Sequence, residues 1–192
     1  MAVYNTASDA ANTAVRAFLT QVGEYYLGQS FNTGSGTGHH TWEVICRDFG
    51  GLCAYCGAQN KLQIEHLIMF NRLEYGLHHP GNIVPVCTEC NKRQKDTRKK
   101  YITWENQLAA KCGGSTNALF LARRDKIHTH IAKYKYPNLT KQENHSIRVI
   151  AESLYENIKG ESEKSLKMYR MLDKAFVKGD MADRTGDTQR PQ

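Results

Sequence analysis

Long apolar runs are missing from this 192-residue chain, and none approaches the ~20 residues that a membrane-spanning helix requires. A membrane partner is therefore not expected. The opening MAVYNTASDA has no charged region followed by an apolar one, so it offers no secretory signal, and a cytoplasmic location is the expectation. No internal repeat is visible either. Acidic residues are the scarcer charge: 19 Asp and Glu stand against 26 Lys and Arg, a net charge of +7 with a pI near 9.1. That balance points to an anionic partner, nucleic acid once membrane is set aside, with a basic solvated surface as the plainer alternative. What is present is ordinary globular material. A 40 % hydrophobic content is enough for a real core, either one large domain or a small core with helical additions.

In chain order, Val15, Phe18, Leu19, Val22, Tyr25 and Tyr26 recur at three- and four-residue intervals. This predicts a helix over residues 9–27, capped by Asp9 and serving as a packing or dimerising element. Residues 28–40, GQSFNTGSGTGHH, are rich in Gly, Ser and Thr and predict a flexible connection, with His39 and His40 as loop residues. Thr41 then caps a short helix with Trp42, Ile45 and Phe49 on one face, stopped by Gly50-Gly51. Further on, a helix over 104–112 ends at Gly113-Gly114. Ser115 opens another, with Phe120, Ile127, Ile131 and Tyr134 sharing a face, Arg123, Arg124 and Lys126 elsewhere, and Pro137 as its stop. Thr140 and Glu143 form a capping box for a helix carrying Ile147, Ile150, Leu154 and Ile158, which Gly160 breaks. Leu166, Tyr169, Leu172 and Phe176 mark a last helix, and polar residues 179–192 are expected to be disordered.

The most informative stretch runs from Leu52 to Lys100. Cys53/Cys56 and Cys87/Cys90 form two Cys-x-x-Cys pairs. Two thiolates three residues apart on a tight turn can reach one ion, and two such knuckles complete the tetrahedron that Zn²⁺ favours. Four cysteines close the site, so this zinc is expected to hold the fold together and not to perform chemistry. Cys46 and Cys112 are left over as small buried side chains. Between the knuckles, Leu62-Gln63-Ile64 alternates as a strand should, and Asn82 to Val86 makes a second strand with Pro85 marking an edge. A long loop, residues 69–81, joins them, and Asn91-Lys92-Arg93-Gln94-Lys95 reads as the start of a helix.

At these residues the sequence resembles the HNH endonucleases. In many zinc-bearing members a CxxC is followed by an acidic residue and His, then by Asn-(Ile/Leu)-Val-Pro-(Leu/Val)-Cys-x-x-Cys-Asn; here the pattern reads CAYC, IEH and NIVPVCTECN. The resemblance implies a ββα-metal core in which two strands and a helix clasp one catalytic divalent cation, Mg²⁺ or Mn²⁺. It implies hydrolysis of phosphodiester bonds in double-stranded DNA to 5′-phosphate and 3′-hydroxyl ends. Position by position, His66 corresponds to the general base, Asn82 to the middle Asn, and Asn91 to the last position, a metal ligand, with Glu65 as the other ligand. The family usually has Asp before its His, so Glu65 is a departure, and its loop Gly-Gly is missing, with Gly76 and Gly81 the nearest substitutes.

The chemistry supports the same roles. Imidazole has an unperturbed pKa of ~6.5 and is suited to take a proton from water, which fits His66. A hard cation prefers oxygen ligands, which Glu65 and Asn91 offer. Asn82 cannot act as a base, so its amide is expected to bond backbone near His66 and fix the ring. His78 and His79 have no such support as metal ligands. Lys92, Arg93, Lys95, Arg98, Lys99 and Lys100 crowd one short run against the single acid Asp96, and phosphate contact is their expected use, a solvated helix face the alternative. The expected architecture is α+β: a nuclease core over residues 41–101, an N-terminal helix and linker over 1–40, a helical region over 102–178 and a tail over 179–192. The flanking helices supply DNA contacts or a homodimer interface, and both stay open. So does the choice between a restriction, phage-encoded or homing nuclease, while a zinc-ribbon-like module that binds nucleic acid without cutting is the alternative function.

Overall fold

The computed structural model describes residues 6–177, so the polar tail expected over 179–192 lies outside the described residues. Helix α1 spans Ala7–Leu27. Its cap is Thr6, not Asp9: Thr6 Oγ1 accepts from the Asp9 N–H at 3.1 Å while the Asp9 carboxylate accepts from the Thr6 N–H at 3.1 Å, a reciprocal capping box. Ala11, Val15, Leu19 and Gly23, spaced four apart, are buried, whereas Tyr25 is 79 % exposed and so does not belong to the packed face.

Helix α2 spans Gly36–Asp48, so the expected connection ends early, at Ser35, and His39 and His40 lie on the helix beside Glu43. Thr41 is interior and donates to the Thr37 carbonyl at 2.9 Å. The glycines that suggest a flexible linker have a packing reason. A Cβ on Gly38 would sit 2.4 Å from the Asn32 carbonyl oxygen, so helix and preceding loop approach closely only because the side chain is absent.

Two strands, β1 (Leu62–His66) and β2 (Ile83–Cys87), pair antiparallel with Glu65 opposite Val84 and His66 opposite Ile83. Every residue of β2 is buried. Its outer edge is covered at Pro85, whose carbonyl accepts from the Ala54 N–H of the first knuckle at 2.8 Å. No helix forms over 91–100. The Asp96 carboxylate instead accepts from the N–H groups of Arg98 and Lys100, both at 2.9 Å, with Lys99 left-handed at φ 62°, and an isolated bridge joins Lys95 to Tyr101. Such a local side-chain turn competes with helix despite good helix formers on either side. The helix that follows β2 is therefore α3, Trp104–Cys112, capped by Thr103.

Helix α4 spans Ala118–Lys133 with Asn117 as its cap, and α5 spans Lys141–Leu172 without a break at Gly160, followed by a π-helical turn at Asp173–Val177. One glycine costs a helix about 1 kcal/mol, too little to end one already begun by the Thr140–Glu143 capping box. Two cores result. Phe31, Ile45, Leu67, Ile83, Val84, Val86, Leu108 and Ile127 surround the sheet and join α2, α3 and α4 to it. A second core packs α1 against α5 and the loop over 67–79 through Val15, Leu19, Leu77, Ile147 and Ala151. The two helices run antiparallel: Tyr26 donates to Glu143, and Tyr155 to Ser8. Beyond that overlap Leu166, Met168, Tyr169, Leu172 and Phe176 are exposed. Together these elements make an α+β fold.

Gly23 is where α1 meets the loop, since a Cβ there would lie 2.3 Å from the His78 carbonyl oxygen, whereas a Cβ on Gly160 meets nothing within 4 Å. Gly23→Ala is expected to destabilise by about 1–3 kcal/mol and Gly160→Ala to stabilise by about 0.5–1 kcal/mol. Urea denaturation of the two variants checks the opposite signs.

Candidate active site and metal centre

The sulfurs of Cys53, Cys56, Cys87 and Cys90 all lie within 4.8 Å of one another. Each knuckle is a tight turn: the Gly57 N–H bonds the Cys53 carbonyl at 2.8 Å, and the N–H groups of Cys90 and Asn91 bond the Cys87 carbonyl at 3.0 Å. Four thiols in a closed, mostly buried set fit a structural zinc. Arg123 of α4 fastens the first knuckle by donating to the Tyr55 carbonyl at 2.6 Å over Gly57. Of the remaining thiols, Cys112 is buried and Cys46 half-buried, and burial followed by the charge of Glu43 raises the Cys46 pKa.

Glu65, His66 and Asn91 line one cleft, together with Arg16, Phe70 and Tyr101. The chain reaches this arrangement by running residues 91–93 along β1. Asn91 Nδ2 donates to Gln63 Oε1 at 2.9 Å, and two residues on Arg93 Nε donates to Glu65 Oε1 at 3.0 Å. Arg93, expected among the cations that face DNA, is instead a buried clamp. Its side chain is 2 % exposed against 9 % for Glu65. Its Nη2 also contacts Glu65 Oε1 and donates to the His66 carbonyl at 2.8 Å, while Nη1 donates to the Leu67 carbonyl at 3.0 Å. Burial raises the Glu65 pKa, and the Arg93 charge and hydrogen bonds oppose that rise. Both bonds from Arg93 to Glu65 fall on Oε1, and among the described residues Oε2 of Glu65 and Oδ1 of Asn91 carry no hydrogen bond. Two free oxygens of this kind are the donor set a hard divalent cation takes.

His66 ends β1. Its ring stacks on Phe70 with centroids 4.7 Å apart, and its Nε2 lies 3.0 Å from Nδ1 of His78. Burial, then the charges of His78, Arg93 and Arg16, push its pKa down to about 3, so the imidazole is neutral near pH 7. His78, without support in the sequence as a metal ligand, is thus a second ring against His66 beside Phe70; it also sits against Phe31, with ring centroids 5.0 Å apart. Only its place in the long loop signals this role, and the pairing spans a fold contact.

Asn82 is buried and makes no bond to His66 itself. Its Oδ1 accepts from the Ile68 N–H at 2.8 Å, and its Nδ2 donates to the Ile68 and Leu77 carbonyls at 2.9 Å, which closes the loop directly after His66. The turn presenting it, Pro80–Asn82, is pinned by His79 Nδ1, which accepts from the Gly81 N–H at 3.0 Å, and by His130 Nε2, 2.9 Å from the Pro80 carbonyl. Gly76 and Gly81 allow close approaches here: a Cβ on Gly76 would sit 2.1 Å from the Ile68 carbonyl oxygen, and one on Gly81 would sit 2.9 Å from Cβ of Tyr136.

Of the other cations in the basic run, Lys92 pairs with Glu89 at 2.8 Å and Lys95 lies over the Tyr101 ring, 4.7 Å from its centroid. Arg98, Lys99 and Lys100 are exposed around the Asp96 turn. These five form a basic turn, not a helix face, and Tyr101 connects it to the cleft.

Residues 53–97 match the family described as HNH endonuclease. That segment therefore carries an HNH domain, and the activity class it implies is that of a nuclease. Comparison with curated proteins found no match, and comparison with solved structures found none.

The buried pair gives a sharp expectation for stability. Arg93→Ala leaves Glu65 uncompensated and three acceptors unsatisfied and should cost about 3–5 kcal/mol, whereas Arg98→Ala, on the exposed turn, should stay within about 0.5 kcal/mol. Chemical denaturation of both variants reads the contrast.

Proposed function

We propose that the chain is a metal-dependent endonuclease that hydrolyses phosphodiester bonds in double-stranded DNA to 5′-phosphate and 3′-hydroxyl ends, in a restriction or phage-encoded setting. The observation that carries this reading is that His66, Glu65 and Asn91 line one cleft, in a chain that also gathers four thiols fit for zinc. In this reading Glu65 and Asn91 hold Mg²⁺ or Mn²⁺. Such a cation, when bound, offsets the charge that develops on the phosphate and the leaving oxygen. His66 takes the proton of the attacking water. In this reading His66 donates its Nε2–H to His78 Nδ1, 3.0 Å away, and keeps its Nδ1 lone pair for that proton. Asn82 acts at one remove, by fixing Ile68 and with it the chain that leaves His66.

Chemistry belongs to the core over 41–101 in this scheme, and DNA is held by the basic turn of Lys92, Lys95, Arg98, Lys99 and Lys100 and by the helical flanks. One cleft serves one strand, so we assign a nick to a single copy and a double-strand cut to a homodimer. A cytoplasmic location fits a DNA substrate, and no helix among the described residues is long and apolar enough to cross a membrane. One observation favours the alternative, a zinc-ribbon-like module that binds nucleic acid without cutting: Arg93 already compensates Glu65, which weakens its pull on a cation.

His66→Ala should abolish cleavage, a loss of about 10²–10⁴-fold, while zinc content and DNA affinity hold, because a base acting on water contributes only in the transition state. Asn91→Ala should instead be partly rescued by raising Mg²⁺ or Mn²⁺, and Glu65→Ala, which also strands the buried Arg93 guanidinium, should be partly rescued and less stable. Single-turnover cleavage of a duplex checks all three, and a His66→Ala variant that cuts at the parent rate would contradict the assignment.

A further inference from the structure

Arg16 enters the cleft from outside the matched domain. It sits on α1, next to buried Val15, and lines the same cleft as Glu65, His66 and Asn91. Helix α1 is anchored along its length by α5, so the cation is delivered by a rigid element and not by a loop.

Charge counting at this cleft leaves Arg16 without a counter-ion. Glu65 is the one carboxylate among the lining residues, and Arg93 already holds it through two contacts to Oε1. The Arg16 side chain makes no hydrogen bond or ion pair among the described residues and is exposed; only its carbonyl is engaged, accepting from the Thr20 hydroxyl at 3.0 Å. A guanidinium with no partner among the described residues, lining a cleft whose acid Arg93 already holds, makes the cleft attractive to an anion. A guanidinium presents a planar fork that matches two phosphate oxygens at once.

We propose that Arg16 binds a backbone phosphate of the nucleic acid in this cleft and steadies the charge that builds on it during cleavage. The inference rests on the nuclease reading for its catalytic half only; the phosphate contact stands on the geometry alone. It also gives the α1–α5 layer a function beyond packing, because that layer holds Arg16 at the cleft that His66 lines.

The test compares the parent, Arg16→Ala, Arg16→Lys and His66→Ala on a fluorescent duplex. Binding is measured with Ca²⁺ in place of Mg²⁺ across a salt series, and single-turnover cleavage with Mg²⁺. Arg16→Ala should flatten the salt dependence of binding by about 0.9 in log–log slope, as expected for one lost phosphate contact. Cleavage should fall about 10²–10³-fold, the usual size for removing one donor to a developing oxyanion. Arg16→Lys, a point charge without the fork, should recover the slope but only part of the rate. Zinc content and melting temperature should match the parent in both. An unchanged slope in Arg16→Ala overturns the phosphate contact whether or not the protein cuts. An altered slope with a parental cleavage rate, alongside inactive His66→Ala, overturns the catalytic half and spares the nuclease reading. A parent that binds no DNA overturns both.

Discussion

Two five-residue strands bury too little surface to stand by themselves, so this sheet depends on what closes its ends. At one end four sulfurs lie within 4.8 Å of one another, and the metal that such a set takes fixes the start of the segment after β2 through the bonds from Cys90 and Asn91 to the Cys87 carbonyl. At the other end the Arg93 guanidinium gathers the Glu65 carboxylate and the carbonyls of His66 and Leu67. The short run from Asn91 to Arg93 spans the two closures, alternating its side chains along Gln63 and Glu65. Loss of the thiolate site therefore loosens more than a knuckle: it frees the segment that carries both Asn91 and Arg93.

The flanking helices complete the site instead of decorating it. The loop over 67–79 is held between the sheet and the α1–α5 layer, with Leu77 in that layer's core and the His78 backbone against Gly23. Phe31, His78, His66 and Phe70 form a continuous ring contact, so the orientation of His66 is set from the loop after α1 as well as from β1. His79 and His130, both lowered in pKa mainly by burial, stay neutral and hold the turn that presents Asn82.

Much of this was legible where it is local in sequence. The knuckles, the two strands, the Asn82 position and the Thr140–Glu143 cap are each written within a few residues. Thr6 is not legible as a cap because the apolar periodicity starts later than the helix. Gly38 and Gly160 misled in opposite ways: one looked like linker but answers a close backbone approach, the other looked like a break but sits in open space on a long helix. The run after Asn91 has helical composition, yet the Asp96 carboxylate claims two backbone donors and Arg93 is drawn inward by Glu65, 28 residues away. His78 and Arg16 reach the cleft through tertiary packing alone, so no spacing rule could have placed them.

The central claim is that this cleft cuts DNA. Its most direct test is incubation of the purified chain with supercoiled plasmid, with and without Mg²⁺ or Mn²⁺, followed by end analysis of any product. The account predicts relaxed or linear plasmid only when the divalent cation is present, with 5′-phosphate and 3′-hydroxyl ends that a ligase reseals. Plasmid that is bound but stays supercoiled in both metals would contradict it, and would leave the zinc site as the frame of a binding module.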